Sequence, residues 1–156
     1  MSDNQEPWVY IDPGGKFSFC VPHDWAVDPT GQRGACVFTF GPNIDDGFRA
    51  NVNIVVQPLS PLTHDEYLTL SRLQIRKMGN LARLAVDEPA LRFPGGRVLE
   101  WTALEASPPI RTRQLIAFAG PEVFVVTAMA TAASLDRYEP LFQVMMDSFR
   151  CAGPVS

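Results

Sequence analysis

The chain has 156 residues, 46% hydrophobic and 19% charged, with 13 Lys and Arg against 17 Asp and Glu for a net charge of −4. An isoelectric point near 5.1 excludes a generally basic nucleic-acid-binding protein, which usually lies above about 9. High apolar content at small net charge excludes a disordered chain, and the length suits one domain with a real core, expected over residues 8–150.

Fourteen prolines, about twice the usual share of roughly 5%, forecast many short segments. Residues 1–7 read as a polar lead-in. Asp12-Pro13-Gly14-Gly15 is a turn, because Pro presets φ and Gly tolerates positive φ. Over residues 16–21, Phe17, Phe19 and Val21 alternate with Lys16, Ser18 and Cys20, which predicts a half-buried strand stopped by Pro22. Residues 35–40 form a second strand, between the turn Pro29-Thr30-Gly31 and Gly41-Pro42. Residues 43–47 are polar and read as a loop. Within it, Asp45-Asp46-Gly47 lacks the alternating oxygens and distal Glu of a calcium loop and reads as a plain turn. Residues 50–57 are a third strand, with Val52, Ile54 and Val56 on one face.

The period then changes. Thr63-His64-Asp65-Glu66 reads as a capping box, so a helix should run to about Lys77 and stop at Gly79. Its Tyr67, Leu68, Leu70, Leu73, Ile75 and Met78 spread over a broad arc. A turn-rich region ends at Pro94-Gly95-Gly96. Residues 97–104, 110–118 and 122–129 are strands joined by short links, hence consecutive antiparallel hairpins. Ser134 caps a last helix whose Leu135, Tyr138, Leu141, Phe142, Met145 and Met146 recur at helical spacing. That helix ends near Phe149, and residues 151–156 are a tail. Two groups of strands with one helix between and one after make an α+β fold. Residues 122–129 are apolar at both parities, as a central strand covered on both faces would be. An antiparallel β-sheet sandwiched between α-helices is expected.

The chemistry is sparse. His23 and His64 belong to no cluster at ligand spacing, so no metal is expected. Neither a Gly-x-Ser-x-Gly elbow nor a nucleotide-cradling glycine motif occurs. Without a nucleophile–base pair the expectation is no enzyme and no cofactor. Cys20, Cys36 and Cys151 are odd in number and lack Cys-x-x-Cys spacing. Cys20 and Cys36 read as small buried hydrophobes, with a bridge between them open if their strands pair. The apolar run at 123–133 is shorter than the roughly 20 residues of a membrane span. Met-Ser-Asp-Asn-Gln-Glu is not a signal-peptide start, so a cytoplasmic location is expected for the chain as given, a trimmed leader aside.

Hairpin arithmetic singles out six residues. With Leu104 opposite Ile110, Glu100 faces Gln114 and Trp101 faces Arg113. With Phe118 opposite Val123, Gln114 also faces Thr127. Glu100, Gln114 and Thr127 then form a polar row on a face otherwise carrying Val98, Leu104, Ile116 and Val125. Buried polar groups need partners, so the row is either a ligand or peptide groove, or a solvated or self-satisfied patch. On the other face Trp101 beside Arg113 permits a cation–π contact. Trp101 with Arg111 and Arg113 is either a partner patch or ordinary cross-strand packing.

Tyr10-Ile11-Asp12-Pro13-Gly14-Gly15-Lys16-Phe17-Ser18-Phe19-Cys20-Val21-Pro22-His23-Asp24-Trp25 resembles the opening of PsbP-like and Mog-like proteins: a turn, a Phe-x-Phe strand, then Pro-x-x-Trp. Gly95-Gly96-Arg97-Val98-Leu99-Glu100-Trp101 looks like that superfamily's glycine-led strand. Val123-Phe124-Val125-Val126-Thr127-Ala128, with Tyr138, Phe142 and Ser148-Phe149-Arg150, looks like its closing strand and helix. The resemblance spans roughly residues 8–150. It implies a sheet sandwiched between helices, with Phe17, Phe19, Trp25 and Phe149 in the core. It also implies a mostly non-catalytic role. The superfamily includes extrinsic photosystem II subunits, DcrB-like and LpqN-like lipoproteins, Ran-binding Mog proteins, and small chaperones for transmembrane segments of type VI secretion effectors. No lipidation cysteine near the start, Ran-contacting surface or metal site is matched.

Eleven Arg against two Lys suit a high-GC bacterial genome. The expected function is a non-catalytic bacterial accessory or adaptor module that binds protein. The alternatives are a cytoplasmic chaperone for apolar helices of a secreted effector, and a small-ligand-binding protein using the polar row. A protein partner is expected, with no nucleic acid and no membrane insertion; a homodimer is left open.

Overall fold

A computed structural model describes residues 7–29, 35–77, 82–104 and 107–151. In chain order its elements are β1 (Trp8–Ile11), β2 (Phe17–Val21), β3 (Ala26–Asp28), β4 (Val37–Asp45), β5 (Phe48–Pro58) and α1 (His64–Arg76). There follow β6 (Ala82–Pro89), β7 (Arg97–Ala103), β8 (Ile110–Ala119), β9 (Glu122–Thr131), α2 (Leu135–Ser148) and β10 (Arg150–Cys151). One sheet has the strand order β3-β4-β5-β9-β8-β7-β6, and a smaller one the order β1-β2-β10. All of these pairings are antiparallel, so the fold is α+β.

Local chemistry explains the elements that periodicity predicts. In β2, Phe17, Phe19 and Val21 are buried and alternate with half-buried Ser18 and Cys20. At the start of α1 both halves of the capping box form: the Glu66 N–H donates to Thr63 Oγ1 at 3.1 Å, and the Thr63 N–H to Glu66 Oε1 at 2.9 Å. Two of the helix's orphan donors are thereby satisfied. The β4–β5 hairpin turns on Asp46 and Gly47, at φ 52° and 81°, the left-handed pair that a tight hairpin turn favours.

The central strand β9 is covered on both faces. Phe124, Val126 and Ala128 pack with Leu115 and Ile54 beneath Tyr138, Phe142, Met145 and Met146 of α2. Phe17, Phe19 and Val21 of the small sheet join that core, as do Trp25 and Phe149. On the other face Val123, Val125, Ile116, Leu99 and Trp101 lie beneath Leu68 and Ile75 of α1. Full burial of each such aliphatic or aromatic side chain stabilises by about 1.5–3 kcal/mol.

Several expectations need correction. Residues 43–45 are not loop, because β4 continues to Asp45. Its ladder jumps from Phe40↔Asn51 to Ile44↔Arg49, across Gly41 and Pro42, where Pro42 has no N–H to donate. The turn-rich region before Pro94 contains β6, an edge strand whose alternation is broken by a register shift between Leu84 and Val86. Cys151 is not tail, since it pairs with Phe17. Cys20 and Cys36 are free thiols and Cys36 is exposed; β2 lies in the small sheet and Cys36 bonds through its N–H to Ile54 of the large one. The expected turn at Thr30 and Gly31, the apolar helix residue Met78, the helix stop at Gly79, and the ends 1–6 and 152–156 lie outside the described residues. No helix among the described residues is long and apolar enough to cross a membrane.

Candidate functional site

Strand register decides which candidate residues meet. Ile110 pairs with Ala103 rather than Leu104, so Glu100 faces Arg113, Trp101 faces Thr112 and Leu99 faces Gln114. The next hairpin has the expected register, with Gln114 facing Thr127 and Phe118 facing Val123. Residues directly opposite one another share a sheet face, so the expected polar row splits. Gln114 Nε2 donates to Thr127 Oγ1 at 3.2 Å on the α1 face, beside Leu99. Glu100 lies on the α2 face. Trp101 is 8% exposed within the α1-side core, so it forms neither a cation–π pair with Arg113 nor a patch with Arg111 and Arg113. Leu104 falls outside β7 and is exposed.

On the α2 face Glu100 anchors an ion network. Its Oε1 accepts from Arg111 Nη2 and its Oε2 from Arg113 Nε, both at 2.9 Å. Arg113 continues to α2, donating to Glu139 Oε1 at 2.8 Å and to Gln143 Oε1 at 3.3 Å. Arg111 also reaches Thr102 Oγ1 at 3.1 Å, while its buried Nε has no partner among the described residues. The Glu100 and Arg113 side chains are only 13% and 14% exposed. Removing such charges from water is costly, and the two charge-assisted hydrogen bonds, one from each arginine, offset it. The network locks β7, β8 and α2 together.

Beside it opens a groove of about 370 Å³ between α2 and the 90–96 loop. Phe93, Val98, Leu115 and Met146 supply apolar lining, and Glu100 and Arg113 a polar wall. Leu91, 98% exposed, stands on its lip. A lone exposed leucine is ordinary; this one adjoins an apolar-lined depression.

The loop is held by its own backbone. The Phe93 N–H donates to Ala90 O at 3.2 Å, the Gly96 N–H to Phe93 O at 2.7 Å and the Ala90 N–H to Gly96 O at 3.1 Å. A Cβ at Gly96 would fall 2.6 Å from Ile116 O, so the close approach requires glycine. Arg92 ties the loop to the end of α2, donating to Met146 O at 2.9 Å and Phe149 O at 3.3 Å. Its guanidinium lies 4.8 Å from the Phe93 ring centroid. On the α1 side of the sheet, Asp87 accepts from Arg72 Nε at 2.7 Å and from Arg97 Nε at 2.5 Å. The Arg72 hydrogen bond, seconded by Arg97, holds the Asp87 carboxyl below the usual carboxylate range.

Of the six candidates, Glu100 and Arg113 line this groove, and Arg111 backs Glu100. Gln114 and Thr127 lie on the opposite face, and Trp101 is core. Sequence reasoning missed Leu91; the available signal was a pair of large apolar residues, Leu91 and Phe93, inside a stretch otherwise reading as turns. Among the described residues no group of three or more His, Cys, Asp or Glu side chains is placed to hold a metal ion.

Antiparallel sheets packed with two helices in this arrangement constitute a PsbP/Mog-like fold. The chain is similar to the cyanobacterial PsbP protein CyanoP of Synechocystis sp. PCC 6803, with a TM-score of 0.67 and 12% identity over 97% of this chain and 96% of that one. It is also similar to LpqN, involved in cell envelope biogenesis of Mycobacterium tuberculosis, with a TM-score of 0.63 and 12% identity over 94% and 86%. The Saccharomyces cerevisiae Ran-binding protein Mog1p gives a TM-score of 0.62 and 9% identity over 96% and 97%. Identities this low show a shared fold alone. No protein-family model matches the chain, and no curated protein matches its sequence.

Proposed function

We propose that this protein is a non-catalytic accessory or adaptor module, one domain over residues 8–150, that binds a partner protein at the groove beside α2. Leu91 carries this reading: a leucine 98% exposed at the lip of an apolar-lined groove is surface that a partner would remove from water. The groove's arginines are already engaged with Glu100, Glu139 and backbone carbonyls, so recognition would rest on shape and apolar contact. The Ran-binding description of Mog1p supports a protein-binding role on this fold. A small-ligand site on Glu100, Gln114 and Thr127 has no comparable support, because those residues do not share a face.

The test is affinity capture from native lysate with quantitative mass spectrometry, using wild type, Leu91→Asp, and Gln114→Ala on the opposite face. Wild type and Gln114→Ala should recover the same partner, and Leu91→Asp should lose it. As a surface change, Leu91→Asp should alter stability by no more than about 0.5 kcal/mol. Equal recovery by Leu91→Asp would remove the basis for the reading.

A further inference from the structure

The two sheets end at the edge strands β1, β10, β3 and β6. Open edges avoid pairing with another chain through brevity, charge or irregularity. β10 has two residues, one of them Arg150, and β3 has three, ending at Asp28. β6 carries Asp87 and Glu88 and is broken by a register shift. β1 differs: its Trp-Val-Tyr-Ile is uncharged and runs in unbroken register with β2. Val9 and Ile11 are 55% and 67% exposed.

Hydrogen-bond phase fixes which way the β1 backbone points. The Asp12 N–H donates to Phe17 O at 2.9 Å, so residues 12 and 17 form a hydrogen-bonded pair. Bonded and non-bonded pairs alternate in an antiparallel ladder. Tyr10↔Phe19 and Trp8↔Val21 are therefore bonded, and Val9↔Cys20 and Ile11↔Ser18 are not. The Cys20 N–H accordingly turns away from β1 and donates to Ser148 Oγ at 2.8 Å. The N–H and C=O groups of Val9 and Ile11 thus point out of the free edge. Pro7 and Pro13, which have no N–H, stand two residues beyond them on either side.

We propose that β1 pairs antiparallel with β1 of a second copy of this chain, about a two-fold axis at Tyr10. Val9 of each copy then faces Ile11 of the other, and every outward N–H and C=O of both residues is used. The two ladders end together where Pro7 meets Pro13. With the axis at Val9 instead, the Ile11 C=O would lie opposite Pro7 and find no donor. With the axis at Ile11, Val9 would meet Pro13 in the turn. A longer foreign strand running past either proline would leave its own carbonyls without donors, so a copy fits this edge better. On the outer face Val9 and Ile11 of both copies form cross-strand apolar pairs, and Asp12 falls opposite Trp8 rather than another carboxylate. A seam of four residues a side is smaller than the about 1,200 Å² of a standard interface, so the dimer exchanges with monomer. It shares no residue with the groove beside α2 and stands independently of the groove reading.

Sedimentation equilibrium of the full chain from about 0.01 to about 1 mM tests this, with amide exchange followed by NMR at both ends of the range. The average mass should rise from monomer toward dimer. The Val9 and Ile11 amides should exchange more slowly as concentration rises, while those of Trp8 and Tyr10, already bonded to β2, should not change. Val9→Pro deletes an N–H that β2 does not use, and Ile11→Lys adds the kind of charge that guards natural edges. Each should weaken the dimer at least about tenfold with Tm near that of wild type. Val9→Thr keeps the N–H and the branched side chain and should stay closer to wild type than Val9→Pro. If Val9→Pro lowers Tm, Ile11→Lys at its exposed position decides. A wild type that remains monomeric up to about 1 mM overturns the inference and leaves the edge to a strand of another protein. A dimer that survives Ile11→Lys, or that protects amides elsewhere instead, overturns it as well.

Discussion

Glu100 and Arg113 face each other directly across β7 and β8, joined from Nε to Oε2 at 2.9 Å. The same carboxylate holds Arg111, so its removal takes a charged partner from two guanidiniums at once, leaving Arg113 with Glu139 and Arg111 with Thr102. Breaking a fully buried pair costs about 3–5 kcal/mol. With Arg111 partly solvated, Glu100→Ala should cost about 2 kcal/mol and lower Tm by roughly 6 °C. Calorimetry checks this; an unchanged Tm would mean the network contributes nothing to stability.

Asp87 predicts an acid-sensitive component of stability. Arg72 and then Arg97 lower its pKa in the folded state. Such a group stabilises the fold above its unfolded value of about 3.9, and that contribution disappears as pH falls through the folded value. Asp45, lowered chiefly by its hydrogen bond to Arg137 and next by Tyr138, acts in the same sense. Urea midpoints should therefore fall below about pH 4. Asp87→Asn should flatten part of that decline, and parallel curves would exclude Asp87 as a source.

Two glycines should respond differently to alanine. At Gly96 the new Cβ meets backbone carbonyls at 2.6 and 2.9 Å, an overpacking that costs about 1–3 kcal/mol. At Gly15 nothing lies within 4 Å, and only φ at +72° opposes the change, a strain of about 1–2 kcal/mol. Denaturant titration should rank Gly96→Ala as the more destabilising, because backbone atoms cannot swing aside as a flexible side chain would.

Thr63→Ala removes the acceptor for the Glu66 N–H. The expected loss is about 1 kcal/mol, or roughly 3 °C in Tm. Amide exchange should quicken in the first turn of α1 and leave β9 protected. Uniform loss of protection would instead mean that the cap governs global unfolding.

What was legible in the chain follows from interaction range. The alternation of Phe17, Phe19 and Val21, the Thr63–Glu66 box and the helical spacing of Tyr138, Phe142 and Met145 are read over a few neighbours, and the structure has each of them. The Ala119↔Glu122 hairpin spans only Gly120 and Pro121, a loop short enough to select a single register. Residues 104–109 are longer and impose no such choice. There packing sets Ile110 against Ala103, and a one-residue slip reverses every side chain's face.

Residue order along the chain is sufficient for the apolar faces of most elements, because periodicity and capping are local. It is not sufficient for the site. Glu100 joins Arg113 and leaves Gln114 through the register of a long hairpin. Leu91 comes to line the same groove as Met146 because hydrogen bonds in the 90–96 loop and Arg92 hold that loop to the end of α2. Glu88 and Asp147 come to line one groove from a sheet edge and a distant helix. Those juxtapositions depend on packing between segments remote in sequence, where no local period carries the information.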